Sequence, residues 1–219
     1  MELSNLKKLR KIIPGTIFVF FSIPAYQYFA NEILTLDESA KFALKGYGTV
    51  LAFIIGTLFS TLKIREKRNK STHQEIVSNL KHKLIEYGLT KIPSQKELEK
   101  VMASNQLMHI FYSFIDNDES LKEKSKLVRD NGLTWSSTAD AAILGCFFSW
   151  AYLFLIMFVG PEPILAISGI MIGLIGLISG AVLHPMSVKE HIKLGNQQVE
   201  FIATNHKSKL QEKVNGLFT

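Results

Sequence analysis

A single cysteine, Cys146, stands among 219 residues, so no internal disulfide can form and no cysteine-rich metal cluster exists. The lone thiol falls in an apolar run, where it reads as a small packed residue. His73, His82, His109, His184, His191 and His206 are scattered, and none makes the i, i+4 pair flanking a glutamate that a zinc-protease helix requires. The chain also lacks a GxSxG nucleophile elbow, a glycine-rich phosphate loop leading into Lys and Ser or Thr, and a carboxylate pair singled out by periodicity. Asp116, Asp118 and Ser120 resemble the start of a calcium loop, but Lys122 falls at its seventh position and Leu127 at its twelfth. These absences predict a chain that is not an enzyme and carries no cofactor.

Charge is missing in a more informative way. It is absent from Ile12 to Asn31, Gly46 to Leu62, Ala141 to Pro161 and Pro163 to Val188, runs of 20, 17, 21 and 26 residues. A charge at the bilayer centre costs roughly 2.5 to 3.5 kcal/mol on insertion scales, so uncharged runs of this length, dense in Phe, Ile and Leu, predict membrane spans. The expected architecture is all-α: an integral membrane protein with four transmembrane helices in two hairpins, a helical cytosolic insert and an amphipathic C-terminal helix. Its segments are 1–62, a basic N-terminus with hairpin 1; 63–140, the insert; 141–185, hairpin 2; and 186–219, the amphipathic helix. The mean hydropathy is only +0.16 because apolar and polar segments are averaged together.

Basic residues set the orientation. Lys7, Lys8, Arg10 and Lys11 precede the first run, and Lys63, Arg65, Lys67, Arg68 and Lys70 follow the second. The connections at 32–45 and Glu162 hold two basic and four acidic residues. Positive charge stays inside, which predicts a multi-pass protein with both termini cytosolic. Tyr28-Phe29-Ala30 offers no small-x-small cleavage site, so the first run is expected to remain as an anchor.

The polar segments carry helical signals. Pro14 is expected in the opening turn of the first span, and Pro24 is expected to kink it. Thr72 with Glu75 has capping-box spacing ahead of Ile76, Leu80 and Leu84, and Gly88 suits a helix end. Ser94 with Glu97 repeats the start signal for Leu98, Val101, Met102, Met108 and Tyr112. A short helix over 120–130 is predicted to stop at Asn131-Gly132. Ser187 with Glu190 is predicted to open a final helix whose stripe, Ile192, Val199, Ile202, His206, Leu210, Val214 and Leu217, needs a partner surface.

Gly169, Gly173, Gly176 and Gly180 lie four, three and four residues apart on one side of the fourth run, with a weaker analogue in Ala141, Gly145 and Ser149. Small-residue faces let backbones approach closely in lipid. Packing within one chain and self-association into a homo-oligomer remain equally open. Thr49, Gly56 and Ser60 share a helix face, interrupted by Phe53, that a pore would use; local bonding to their own backbone is the simpler account. The cluster Lys63, Arg65, Lys67, Arg68 and Lys70 is assigned to topology and to headgroups of the lipid bilayer. Across 63–140 there are 14 basic and 11 acidic residues, a near balance that argues against direct nucleic-acid binding. Asp140 is read as a helix-start acid favoured by the dipole rather than a functional intramembrane acid, and Trp135 as an interfacial anchor.

The first hairpin, the basic junction LKIREKRNK at 62–70, the helical insert and the second hairpin ending in SGIMIGLIGLISG together resemble the small membrane effectors of bacterial anti-phage systems, such as the retron-associated transmembrane effectors. The resemblance covers the architecture of the whole chain and carries no site residue across. It implies a toxin-like protein of the bacterial inner membrane, restrained by a cytosolic reverse transcriptase with its RNA–DNA product, and released on infection to permeabilise the membrane and arrest growth. Two other classes stay open: a membrane-anchored scaffold or adaptor recruiting a cytosolic partner, and a small channel.

Overall fold

The computed structural model describes residues 3–33 and 47–218. The 32–45 connection therefore lies, from residue 34 on, outside the described residues. Among the described residues nine α-helices follow one another: α1 Leu3–Tyr28, α2 Gly48–Thr61, α3 Ile64–Gly88, α4 Gln95–Ala103, α5 Gln106–Asn117, α6 Glu119–Val159, α7 Pro163–Ile178, α8 His184–Asn205 and α9 Lys207–Asn215. Phe29–Ile33 and Ser179–Leu183 are π-helical, and Gly216–Phe218 is a 3-10 turn. The protein is all-helical, with no strand among the described residues.

Three helical stretches are long and apolar enough to cross a membrane: Ser4–Asn31, Glu119–Val159 and Pro163–Asn205. The second apolar run forms only the 14 residues of α2. At 1.5 Å per residue that helix spans about 21 Å, short of a hydrocarbon core of about 30 Å. It reaches span length only when joined to α3 across a 53° bend, which makes the total three or four. The bend has a local cause. Lys63 sits at φ +53°, a left-handed conformation that ends one helix before Ile64 begins the next.

Several helices run past their expected ends. α3 begins at Ile64, so Thr72 and Glu75 lie inside it rather than at a cap. α6 continues through Asn131-Gly132, and α7, the π turn and α8 run on from Pro163 through Ser187. Local stop signals are worth about 1 kcal/mol, and tertiary packing overrides them. Gly132 is buried, and the Asn131 amide donates to the Ser187 carbonyl at 2.9 Å. Conversely, the helix expected from Ser94 onward is two helices, α4 and α5, separated at Ser104–Asn105, and Tyr112 is exposed. The Ser94–Glu97 capping box is formed, with both reciprocal bonds in place.

Pro14 lies well inside α1, not in its first turn, because the helix begins at Leu3. Its missing N–H frees the carbonyl four residues back, that of Arg10. Pro24 interrupts the ladder again, and a neighbouring side chain repairs it. The Tyr152 hydroxyl donates to the Phe21 carbonyl at 2.7 Å and accepts from the Ala25 N–H at 3.1 Å. A phenol from α6 thus stands in for one i to i−4 bond of α1, at a tyrosine only 2% exposed. The π turn Ser179–Leu183 lies just before Pro185, where a regular turn would put a carbonyl against the proline ring.

The chain divides into two compact units, and the division falls inside α3, α6 and α8. The polar unit comprises Lys70–Gly132 with Ser187–Thr219. Its core takes Ile76, Leu80 and Leu84 from α3, Leu107, Phe111 and Phe114 from α5, and Val199, Ile202, Leu210 and Val214 from α8 and α9. The stripe that called for a partner surface therefore finds it in its own chain. Val214 packs on Gly88 and Leu80 on Gly195, where an added Cβ would come within 2.6 Å and 2.9 Å. The stripe bends at His206, which separates α8 from α9.

The apolar unit comprises Glu2–Asn69 with Leu133–Met186. Phe21, Phe59, Leu144, Phe148, Tyr152, Leu165 and Ile172 form its core. Phe20, Phe53, Trp150, Phe154, Met157 and Ile167 are exposed on it. A soluble monomer rarely exposes such a surface, whereas a bilayer covers it, consistent with a multi-pass membrane protein.

Candidate functional site

Where α3 begins, Arg65 turns into the apolar unit rather than toward solvent. Its Nε donates to Asp140 Oδ1 at 2.9 Å, and its Nη2 donates to Asp140 Oδ2 and, at 2.8 Å, to the Arg10 carbonyl. That carbonyl is the one Pro14 frees, so one guanidinium serves a carboxylate of α6 and an orphan acceptor of α1. The Asp140 side chain is fully buried. It lies 21 residues into α6, which rules out a helix-start role and removes the dipole as its explanation. Arg65 is likewise occupied within the protein, so its part in headgroup contact is replaced by an ion pair. Lys63, Lys67, Arg68 and Lys70 are exposed.

The glycine face of α7 and of the π turn after it meets α6 of the same chain. An added Cβ at Gly169 would approach Tyr152 Cβ to 2.9 Å, at Gly173 the Ser149 Oγ to 2.6 Å, at Gly176 the Gly145 Cα to 2.9 Å, and at Gly180 the Ala142 Cβ to 3.2 Å. Gly145 and Ser149 thus lie opposite Gly176 and Gly173, and the groove is filled from within the protomer. A second close crossing joins α1 and α2: a Cβ at Gly15 would overlap the Ala52 carbonyl, and one at Gly56 the Lys11 carbonyl. Gly56 is therefore a packing residue, while Thr49 and Ser60 are exposed. Thr57 and Thr61 bond to carbonyls of their own helix at 2.8 and 2.9 Å. Cys146, expected to be packed, is exposed.

The remaining groups hold structure. Trp135 stacks on His184, with ring centroids 6.4 Å apart. In the polar unit, His206 Nε2 lies 2.8 Å from Asp118 Oδ2, and Asp118 Oδ1 accepts from the Leu121 N–H at 3.1 Å. The His206 bond, aided by the Leu121 N–H, holds the Asp118 carboxyl below the usual carboxylate range. A depressed folded pKa contributes stability that is present above the unfolded value of about 3.9 and is lost as pH falls through the folded one. Asp118→Asn should therefore flatten the acid limb of a thermal-melting series between about pH 5 and pH 2, while wild type loses stability across it; parallel profiles would contradict this role. Among the described residues, no group of three or more His, Cys, Asp or Glu side chains is placed to hold a metal ion.

Spacing in the chain had exposed the glycine face. It did not expose Arg65 with Asp140, 75 positions apart, or Tyr152 with Phe21, 131 apart. The one available signal was the pair of prolines in α1, which announces backbone groups in need of partners. Comparison of the chain with protein-family models, with curated proteins and with solved structures returned no match.

Proposed function

We propose that this chain is a multi-pass effector of the bacterial inner membrane, with both termini cytosolic, whose apolar unit is held closed by Arg65 and Asp140. On release it associates with further copies and breaches the bilayer, arresting growth in the manner of abortive infection. The supporting observation is the pair of a fully buried Asp140 carboxylate with the half-buried Arg65 guanidinium, an ion pair that ties α3 to α6 inside the unit. Ionisable groups buried between helices of a membrane protein are costly to retain and often mark paths, sensors or switches. A buried pair is also a poor source of net stability, which suits a switch better than a brace. Because α6 fills the glycine groove, assembly would use the exposed aromatic and aliphatic faces of α6 and α7, or would follow their separation. The resemblance to anti-phage effectors supplies the context, with a reverse transcriptase and its RNA–DNA product as the restraining partner.

The test is dye entry and membrane potential in bacteria after brief induction of wild type and Asp140→Asn at matched membrane abundance. Rapid depolarisation is expected, faster for the variant, whose clasp is broken. Intact membranes in both would overturn the effector and favour the adaptor. A specific solute flux without general leakage would favour the channel.

A further inference from the structure

Beside the tight crossing of α6 and α7 the apolar unit leaves an open slot of about 540 Å³. Ala142, Ile143 and Cys146 of α6 line one wall, and Gly176, Leu177, Gly180 and Ala181 the other. The backbones meet at Gly145 and Gly176, and the glycine and alanine positions leave space between the larger Ile143 and Leu177. Its volume lies within the roughly 300 to 1,000 Å³ of small-ligand sites. The slot is mixed in chemistry. Toward Gly176 it is apolar, and its charged lining residue is Arg68 of α3.

Arg68 differs from the other arginine of its helix. Arg65 is consumed by Asp140 and the Arg10 carbonyl, whereas Arg68 is exposed and has no carboxylate partner among the described residues. A planar guanidinium with open donors matches a phosphate oxygen pair. An apolar slot ending at an open cation between membrane helices fits an amphiphile with an anionic head.

We infer that this slot is a binding site for an anionic phospholipid, with one acyl chain along Cys146 and Gly176 and the phosphate on Arg68. The site rests on the membrane insertion of the function proposed above and not on toxicity. It goes beyond the general attraction of a basic cluster, because it singles out Arg68 from its neighbours.

Cys146, the chain's single thiol, lies in the slot and reports occupancy. Native membranes are first washed with alkaline carbonate; release of the chain would overturn both the lipid site and the membrane effector. The purified full chain in detergent is then alkylated with N-ethylmaleimide, with added dioleoylphosphatidylglycerol or dioleoylphosphatidylcholine at equal mole fraction. Phosphatidylglycerol should slow alkylation by about fivefold more than phosphatidylcholine, the ratio one basic residue supplies at an anionic surface. Arg68→Gln should erase the difference, and Lys70→Gln should preserve it. Equal protection by both lipids, no protection by either, or selectivity surviving Arg68→Gln would each overturn the site while leaving membrane insertion intact.

Discussion

Asp140→Asn should destabilise the apolar unit by about 3 to 5 kcal/mol, the usual penalty for removing one partner of a buried ion pair. The loss arises on the other side of the contact. Arg65 keeps its charge and its bond to the Arg10 carbonyl but faces an amide that cannot neutralise it. The measurement is unfolding of the purified chain in mixed micelles against an increasing fraction of a denaturing detergent, followed by helical circular dichroism. Exchanging both partners together, Arg65→Met with Asp140→Leu, removes the stranded charge and should recover most of the deficit. One cost would remain, since the Arg10 carbonyl freed by Pro14 would then lack its donor. A single variant as stable as wild type would show that the pair is solvated and not a clasp.

Gly176→Leu should be comparably severe, because the obstacle is backbone. A Cβ there meets Gly145 Cα at 2.9 Å, and one at Gly145 meets Gly176 Cα at 2.5 Å. Neither main chain can step aside as a flexible side chain would. The helices must separate, and a penalty of about 3 kcal/mol or more is expected from overpacking of this kind. Gly173→Ala is the informative contrast, since its obstacle is the Ser149 hydroxyl, which can rotate. The same detergent titration should rank Gly176→Leu far below Gly173→Ala. Equal effects would mean that the α6–α7 crossing is looser than described. The result also bears on assays of assembly: leucine at Gly176 disrupts the protomer itself, so lost activity in that variant says nothing about association between copies.

What was legible in the sequence divides along a physical line. Features set by neighbours three or four residues away could be read: the reciprocal bonds of Ser94 and Glu97, the buried row Ile76, Leu80 and Leu84, and the shared side of Gly169, Gly173, Gly176 and Gly180. Helix ends were read less well. Thr72, Asn131 and Ser187 each carry a local signal of about 1 kcal/mol, and each lies in a helix that continues by more than a turn beyond it. The site was least legible, because its chemistry is a meeting of distant positions. Asp140 looked like a helix start only while α6 was thought to begin beside it. Arg65 looked like one more basic residue in a cluster until Pro14 supplied an acceptor for it.

The phenol that mends α1 also sets an order of events. Phe21 and Ala25 leave the ribosome long before Tyr152, with 131 and 127 positions between the partners. At 5 to 20 residues per second the interval is about 6 to 26 s. During that time the first span holds a carbonyl and an N–H whose final partner does not yet exist. Such groups are costly in hydrocarbon, so the nascent segment gains by lingering at the wet interface or within the insertion machinery. Completion of α1 is thereby deferred to the arrival of α6, and a chain truncated before residue 152 would carry an α1 that never becomes fully at home in lipid.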